Sequence, residues 1–245
     1  PPSPGAVSAA RLRRRRLLVL LLALALPLGG FATWALYGSS WLRVESVSVD
    51  GTRVLTDSEV TRAAAVPLGE PLISVDKGAV QRRVREALPR VRDVAAERSW
   101  PHGITLTVTE RRPELVVESA GKYIEVDAQG VRFATVGKPP KGVPLLVVEP
   151  KRRAAERSFT TARLRREAAR VGTALPPPVH RATRLVRVRS YDDITLELTG
   201  GRTVRWGSPE RGKAKATALT ALLKAARGAT HFDVTAPSAP AAGKS

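Results

Sequence analysis

The chain has 245 residues, 41 Lys and Arg against 22 Asp and Glu for a formal net charge of +19, and neither Cys nor Met. Its length suits one or two domains, and the lack of Cys excludes disulfide staples, thiol nucleophiles and thiolate metal sites. With no initiator Met, the N-terminal tail is expected to be longer than the segment seen here.

Arg11, Arg13, Arg14, Arg15 and Arg16 open directly onto Leu17 to Tyr37, an apolar stretch without a single charge. At about 1.5 Å per residue this helix rises roughly 31 Å, matching about 30 Å of hydrocarbon. Because positive flanks stay on the cytoplasmic side, residues 1–16 read as a basic cytoplasmic tail and residues 17–41 as a signal-anchor helix. Everything after Trp41 is then exported. A cleaved signal peptide fits poorly, since its apolar region runs to only about 7 to 15 residues and ends in a small-x-small site. Here Trp34, Tyr37 and Trp41 form an aromatic belt instead. Lipid-embedded helices tolerate residues such as Pro27, Gly29 and Gly30.

Removing the tail's five arginines leaves +14 on the exported part. An exported domain meets little nucleic acid, and the arginines are scattered rather than interleaved with stacking aromatics. Anionic headgroups, anionic wall polymers or acidic protein partners fit that charge, as does a plainly solvated surface.

From Val44 to Pro113 the pattern reads β-α-α-β-β. Val44, Val47 and Val49 mark a strand ended by Asp50-Gly51. Thr56 and Glu59 form a capping box that opens a helix through Ala65. Asp76 caps a second helix in which Val80, Val84 and Leu88 share a face, and Pro89 stops it. Two strands follow, Val91 to Ser99 and Ile104 to Glu110. In the second, Ile104, Leu106 and Val108 alternate with Thr105, Thr107 and Thr109, giving a three-stranded sheet with both helices on one face.

Taken in order, Val47, Val49 and Gly51, then Gly69, Pro71, Leu72 and Asp76, then Trp100-Pro101, then Glu110-Arg111 and Pro113 resemble the POTRA domain of the FtsQ/DivIB family of bacterial cell-division proteins. Short strands at Val116 to Glu118, Tyr123 to Asp127 and Val131 to Ala134 form a meander, and Leu145 to Val148 adds an apolar strand. A helix near Thr161 to Thr173 is stopped by Pro176-Pro177-Pro178. Leu185 to Val188, a hairpin at Asp192-Asp193, alternating Ile194, Leu196 and Leu198, and Thr203 to Trp206 complete the sheet. A helix starting near Glu210 leads to His231-Phe232-Asp233-Val234-Thr235. The run VRWGSPERGKAKATALTALL, FDV and a Pro/Ala tail are similar to the end of the β domain in actinobacterial members. The expected class is α+β: one transmembrane helix, a POTRA domain over 42–113, a mixed or antiparallel β domain with flanking helices over 114–236, and a disordered tail over 237–245.

That resemblance implies a non-enzymatic, bitopic scaffold of the divisome in the plasma membrane at the septum. Its partners would be FtsB/DivIC-like and FtsL-like division proteins, with other divisome and septal wall-synthesis proteins beyond them. His231 to Thr235 is expected to be the last, edge strand, open to strand addition. Proteobacterial members carry aromatics after this strand, whereas this chain has Ala236, Pro237, Ser238, Ala239 and Pro240. A shorter edge is therefore expected, with selectivity moved to Tyr191, Trp206 or the charged outer face of the helix starting near Glu210. For Phe232 and Val234, core packing is an equal alternative.

No catalytic, metal or cofactor residues are expected. His102, His180 and His231 show no ligand spacing, and no nucleophile elbow or phosphate loop is present. The alternatives are a POTRA-bearing export component and an anchored binder of anionic wall polymers. Salt-sensitive binding would separate the latter from a protein scaffold.

Overall fold

In the computed structural model, which describes residues 4–38, 40–149 and 160–244, the first element is α1, Pro4–Thr33, followed by a π turn at Trp34–Gly38. Across the two, Arg16–Gly38 is long and apolar enough to cross a membrane, with a mean hydropathy of 2.2 and none of that span buried. Leu17 to Leu28, Phe31, Trp34 and Tyr37 expose their large apolar groups, as a lipid-facing surface would. Residues 1–3 of the expected tail and Ser245 lie outside the described residues.

The chain divides into two compact units, residues 1–110 and 111–245. In the first, β1 (Ser46–Asp50), α2 (Asp57–Ala64), α3 (Lys77–Ala87), β2 (Val91–Ser99) and β3 (Gly103–Glu110) follow in turn. The sheet order is β1-β3-β2, with β1 parallel and β2 antiparallel to β3. α2 starts where Thr56 Oγ1 accepts from the Glu59 amide while the Glu59 carboxylate accepts from the Thr56 amide, the reciprocal box that satisfies two orphan donors. Asp76 Oδ1 caps α3 through Ala79 N at 3.0 Å. Because the strand period is two and the helix period near four, Val94, Ala96, Ile104, Leu106 and Val108 meet Val60, Ala64, Val80 and Val84 in one core. The opposite sheet face is polar, and Ser48 Oγ and Thr105 Oγ1 lie 3.0 Å apart across paired strands.

Glu110, at the end of β3, accepts hydrogen bonds from the amides of Arg53, Val54 and Leu55 at 2.7 to 3.0 Å. It thereby ties the β1–α2 loop to the far end of the sheet. Gly51 has φ +87°, and a Cβ there would lie 2.2 Å from the Val108 carbonyl oxygen, so only glycine lets the chain turn against β3.

The second unit holds β4 (Leu115–Ser119), β5 (Lys122–Val126), β6 (Arg132–Val136), β7 (Leu145–Val148), α4 (Thr161–Ala174), α5 (Pro177–Ala182), β8 (Thr183–Ser190), β9 (Asp193–Leu198), β10 (Thr203–Gly207), α6 (Gly212–Ala225), β11 (His231–Asp233) and β12 (Ala241–Gly243). Its nine strands run β12-β11-β10-β9-β8-β7-β4-β5-β6. The β4 to β7 connection is a single parallel pair, Val116 to Leu145, while both outer groups of strands are well laddered. Leu164, Ala168 and Val171 of α4 and Leu219 of α6 pack with Leu115, Val186, Ile194, Leu196 and Trp206 in the core. The triple proline ends α4 as expected and also starts α5, because proline's fixed φ and missing N–H suit a helix's first turn.

Candidate partner-binding edge of the second unit

β10 is the inner strand of this region. It pairs antiparallel with β9 and parallel with β11, in the register Thr203 to His231, Val204 to Phe232 and Arg205 to Asp233. A parallel neighbour requires a crossover, and α6 supplies it. The ladder is extended by Thr203 N to Thr230 O at 2.8 Å and Val234 N to Arg205 O at 3.0 Å. Alternation then sends Phe232 and Val234 into the core, where they are 3% and 0% exposed, while His231 and Thr235 face water. Asp233 is half-buried. Its Oδ1 accepts from both the amide and the hydroxyl of Thr235, at 2.9 and 2.7 Å.

β11 is not the edge. β12 lies outside it, antiparallel, with His231 opposite Gly243, Phe232 opposite Ala242 and Asp233 opposite Ala241. Two expectations are thereby corrected: His231 to Thr235 does not form the terminal strand, and the 237–245 tail is not structureless throughout. A turn closed by Ala239 N to Ala236 O at 3.0 Å brings the chain back after Pro237, so main-chain pairing recruits a segment whose side chains carry no strand signal. All three residues of β12 are exposed, and among the described residues no strand pairs with its outer side.

Trp206 is the third correction. Offered as a contact residue, it is 0% exposed and belongs to the core. Lys215 of α6 explains its fixed position: the buried Nζ donates to the carbonyls of Trp206 (3.0 Å) and Ser208 (2.8 Å) and stands 6.0 Å from the indole centroid. Burial pulls the Lys215 ammonium below its ordinary range, and Glu210 partly restores it. Sequence reading missed this residue, since one lysine on a helix with further basic residues carries no signal of burial. Tyr191 is half-buried and donates its hydroxyl to Glu210, which raises the phenol's pKa.

The histidines sit in separate local settings. His102 faces Glu45 at 3.8 Å, His180 Nε2 lies 3.0 Å from Glu114 Oε1, and His231 Nδ1 lies 3.0 Å from Thr230 Oγ1. Among the described residues no three His, Asp or Glu converge to hold a metal ion.

Residues 42–111 match the family model for the POTRA domain, FtsQ-type, so the first unit defines a POTRA protein that also carries one helix able to cross a membrane. The chain is 57% identical to the cell division protein FtsQ of Streptomyces collinus, over 94% of this chain and 88% of that one. It is 58% identical to FtsQ of Streptomyces coelicolor, over 89% and 84%, and 36% identical to FtsQ of Mycobacteroides abscessus, over 84% and 63%. The chain therefore belongs to the FtsQ family of cell division proteins. The extracytoplasmic domain of the cell division protein DivIB from Geobacillus stearothermophilus is similar at 17% identity and a TM-score of 0.36, over 49% of this chain and 98% of that one.

Proposed function

We propose that this FtsQ-family protein is a non-enzymatic scaffold of the bacterial division machinery, anchored with its basic tail in the cytoplasm and everything after Trp41 outside. In this reading it captures an FtsB/DivIC-like partner, together with an FtsL-like one, by strand addition. The observation that carries the reading is the exposed β12 at one end of the nine-stranded sheet. Its edge offers main-chain donors and acceptors, and it contributes no side chain to the core.

Magnitude limits what the edge does alone. Three residues support about two or three backbone hydrogen bonds, each contributing roughly 1 kcal/mol net, so together only about 2–3 kcal/mol. Micromolar binding requires about 8 kcal/mol. Side-chain contacts must provide the remainder, and of the expected contact residues His231, Asp233, Thr235 and Tyr191 have surface to give. Phe232, Val234 and Trp206 act by holding the strands in place.

The test replaces Ala241 and Ala242 together by proline, which removes two of the three backbone donors of β12, one on each side of the strand, without touching the core. Pull-down of the FtsB/DivIC-like partner by the full chain should fall by at least tenfold while circular dichroism stays unchanged. A folded variant that captures partner normally overturns strand addition.

A further inference from the structure

The excess charge is confined to one part of the exported sequence. Residues 42–110 hold ten Lys and Arg against ten Asp and Glu, whereas residues 111–245 hold twenty-six against twelve. Within the second unit some of these cations converge. A cleft of about 760 Å³ is walled by α4, the β5–β6 turn and the start of α6, and Arg166, Arg170 and Lys213 line it together with Gln129.

The walls are closely fitted. A Cβ on Gly130, whose φ is +76°, would stand 2.7 Å from Arg166 Cα, and one on Gly212 would stand 2.8 Å from Ala174 Cβ. Arg165 Nε donates to Gly130 O at 2.8 Å and ties the turn to α4. Arg166 and Arg170 are one helical turn apart and so share a face. Among the described residues the one carboxylate paired to this set is Glu167, 3.0 Å from Arg170. Among the described residues Arg166 and Lys213 have no ion-pair partner, so of the three cations one is paired and two are not. Arg165 is held below its ordinary range by burial first, and then by Arg132 and Arg166, as expected where like charges gather without a counter-ion. α6 begins at Arg211 with φ +56° and no side-chain cap, leaving first-turn amides at the same opening.

We propose that this cleft is a phosphate-binding site, in which Arg166, Arg170 and Lys213 hold a doubly charged phosphomonoester, carried at the end of a soluble polyanion or by an anionic lipid headgroup. A single carboxylate would be satisfied by one guanidinium fork and leave the other cations facing each other. A phosphate dianion offers enough acceptor oxygens for two forks and an ammonium and matches the two unpaired cations. The site is separate from the β12 edge and does not depend on how the partner binds.

The probe is inorganic pyrophosphate, titrated calorimetrically into the full chain in nanodiscs of phosphatidylcholine. Saturable binding is expected, weakened at least tenfold by Arg166→Ala with Lys213→Ala. The exposed pair Arg184→Ala with Arg227→Ala, which removes the same charge elsewhere on the unit, should leave it unchanged. Repeating the titration in nanodiscs containing phosphatidic acid, whose headgroup is a phosphomonoester, identifies the source. Competition by the lipid supports a headgroup, and undiminished affinity supports a soluble phosphate polymer. Absence of saturable pyrophosphate binding in phosphatidylcholine, or equal weakening by both pairs of substitutions, overturns the site.

Discussion

Glu110 shows how one carboxylate can hold a loop. Burial alone would push its carboxyl up, but the amides of Arg53, Leu55 and Val54 outweigh that cost and hold its pKa below the usual glutamate value. A depressed folded pKa means the stabilisation is fully present above the unfolded value near 4.3 and is lost as pH falls through the folded one. Glu110→Gln should therefore destabilise the first unit by about 1–3 kcal/mol at pH 7, with the difference from the parent shrinking below about pH 4. Thermal melts across pH 3 to 7 check this, and a constant difference throughout would exclude the carboxylate's role. Trp206 makes the opposite case. Among the described residues its buried indole N–H has no acceptor, so Trp206→Phe should cost far less than the roughly 3–5 kcal/mol expected of Trp206→Ala, because the smaller ring also removes an unsatisfied donor. Chemical denaturation of the two variants distinguishes them.

At the scale of elements, the latch between α5 and β4 carries its own pH dependence. His180 bonds to the Glu114 carboxylate, which raises its pKa against the effect of burial, and a Cβ on Gly172 would press to 2.9 Å of that carboxylate from α4. A raised histidine pKa gives stability that is complete below about 6.5 and is lost as pH rises through the folded value. The second unit should melt lower at pH 9 than at pH 6, and His180→Gln should flatten that dependence. The sequence showed α4 and β3 clearly because their apolar periods match their geometry, and the Thr56–Glu59 box marked α2 almost to the residue. It hid α5 because three prolines read as a stop before they read as a start. It hid β12 because Ala-Ala-Gly has no strand preference and becomes a strand only when β11 offers its backbone. The sheet's last strand is expected at His231, one strand too far inward, since alternation reveals which side chains are buried and not which strand is last.

For the molecule as a whole, each unit rests on a core of its own. Leu106 is fully buried in the first, and an aspartate there would place an unpaired charge in it at a cost of several kcal/mol, comparable to the stability of a small domain. Leu106→Asp should abolish slow amide exchange across β1, β2 and β3, and retained protection would show that the sheet's register differs. The brevity of β12 also bears on life at a crowded division site. A long, flat, unpaired strand would invite copies of the chain to zip together edge to edge, the route by which β proteins polymerise. Pro240 and three small residues keep this border too short for such self-pairing, so the chain should sediment as a monomer in detergent even when concentrated. Replacing Pro240 by valine would restore a donor and lengthen the border, and dimers or higher oligomers should then appear. If partner capture is by strand addition, as proposed, an edge too weak to recognise itself can remain open among many identical neighbours and still close on a partner that brings contacts of its own.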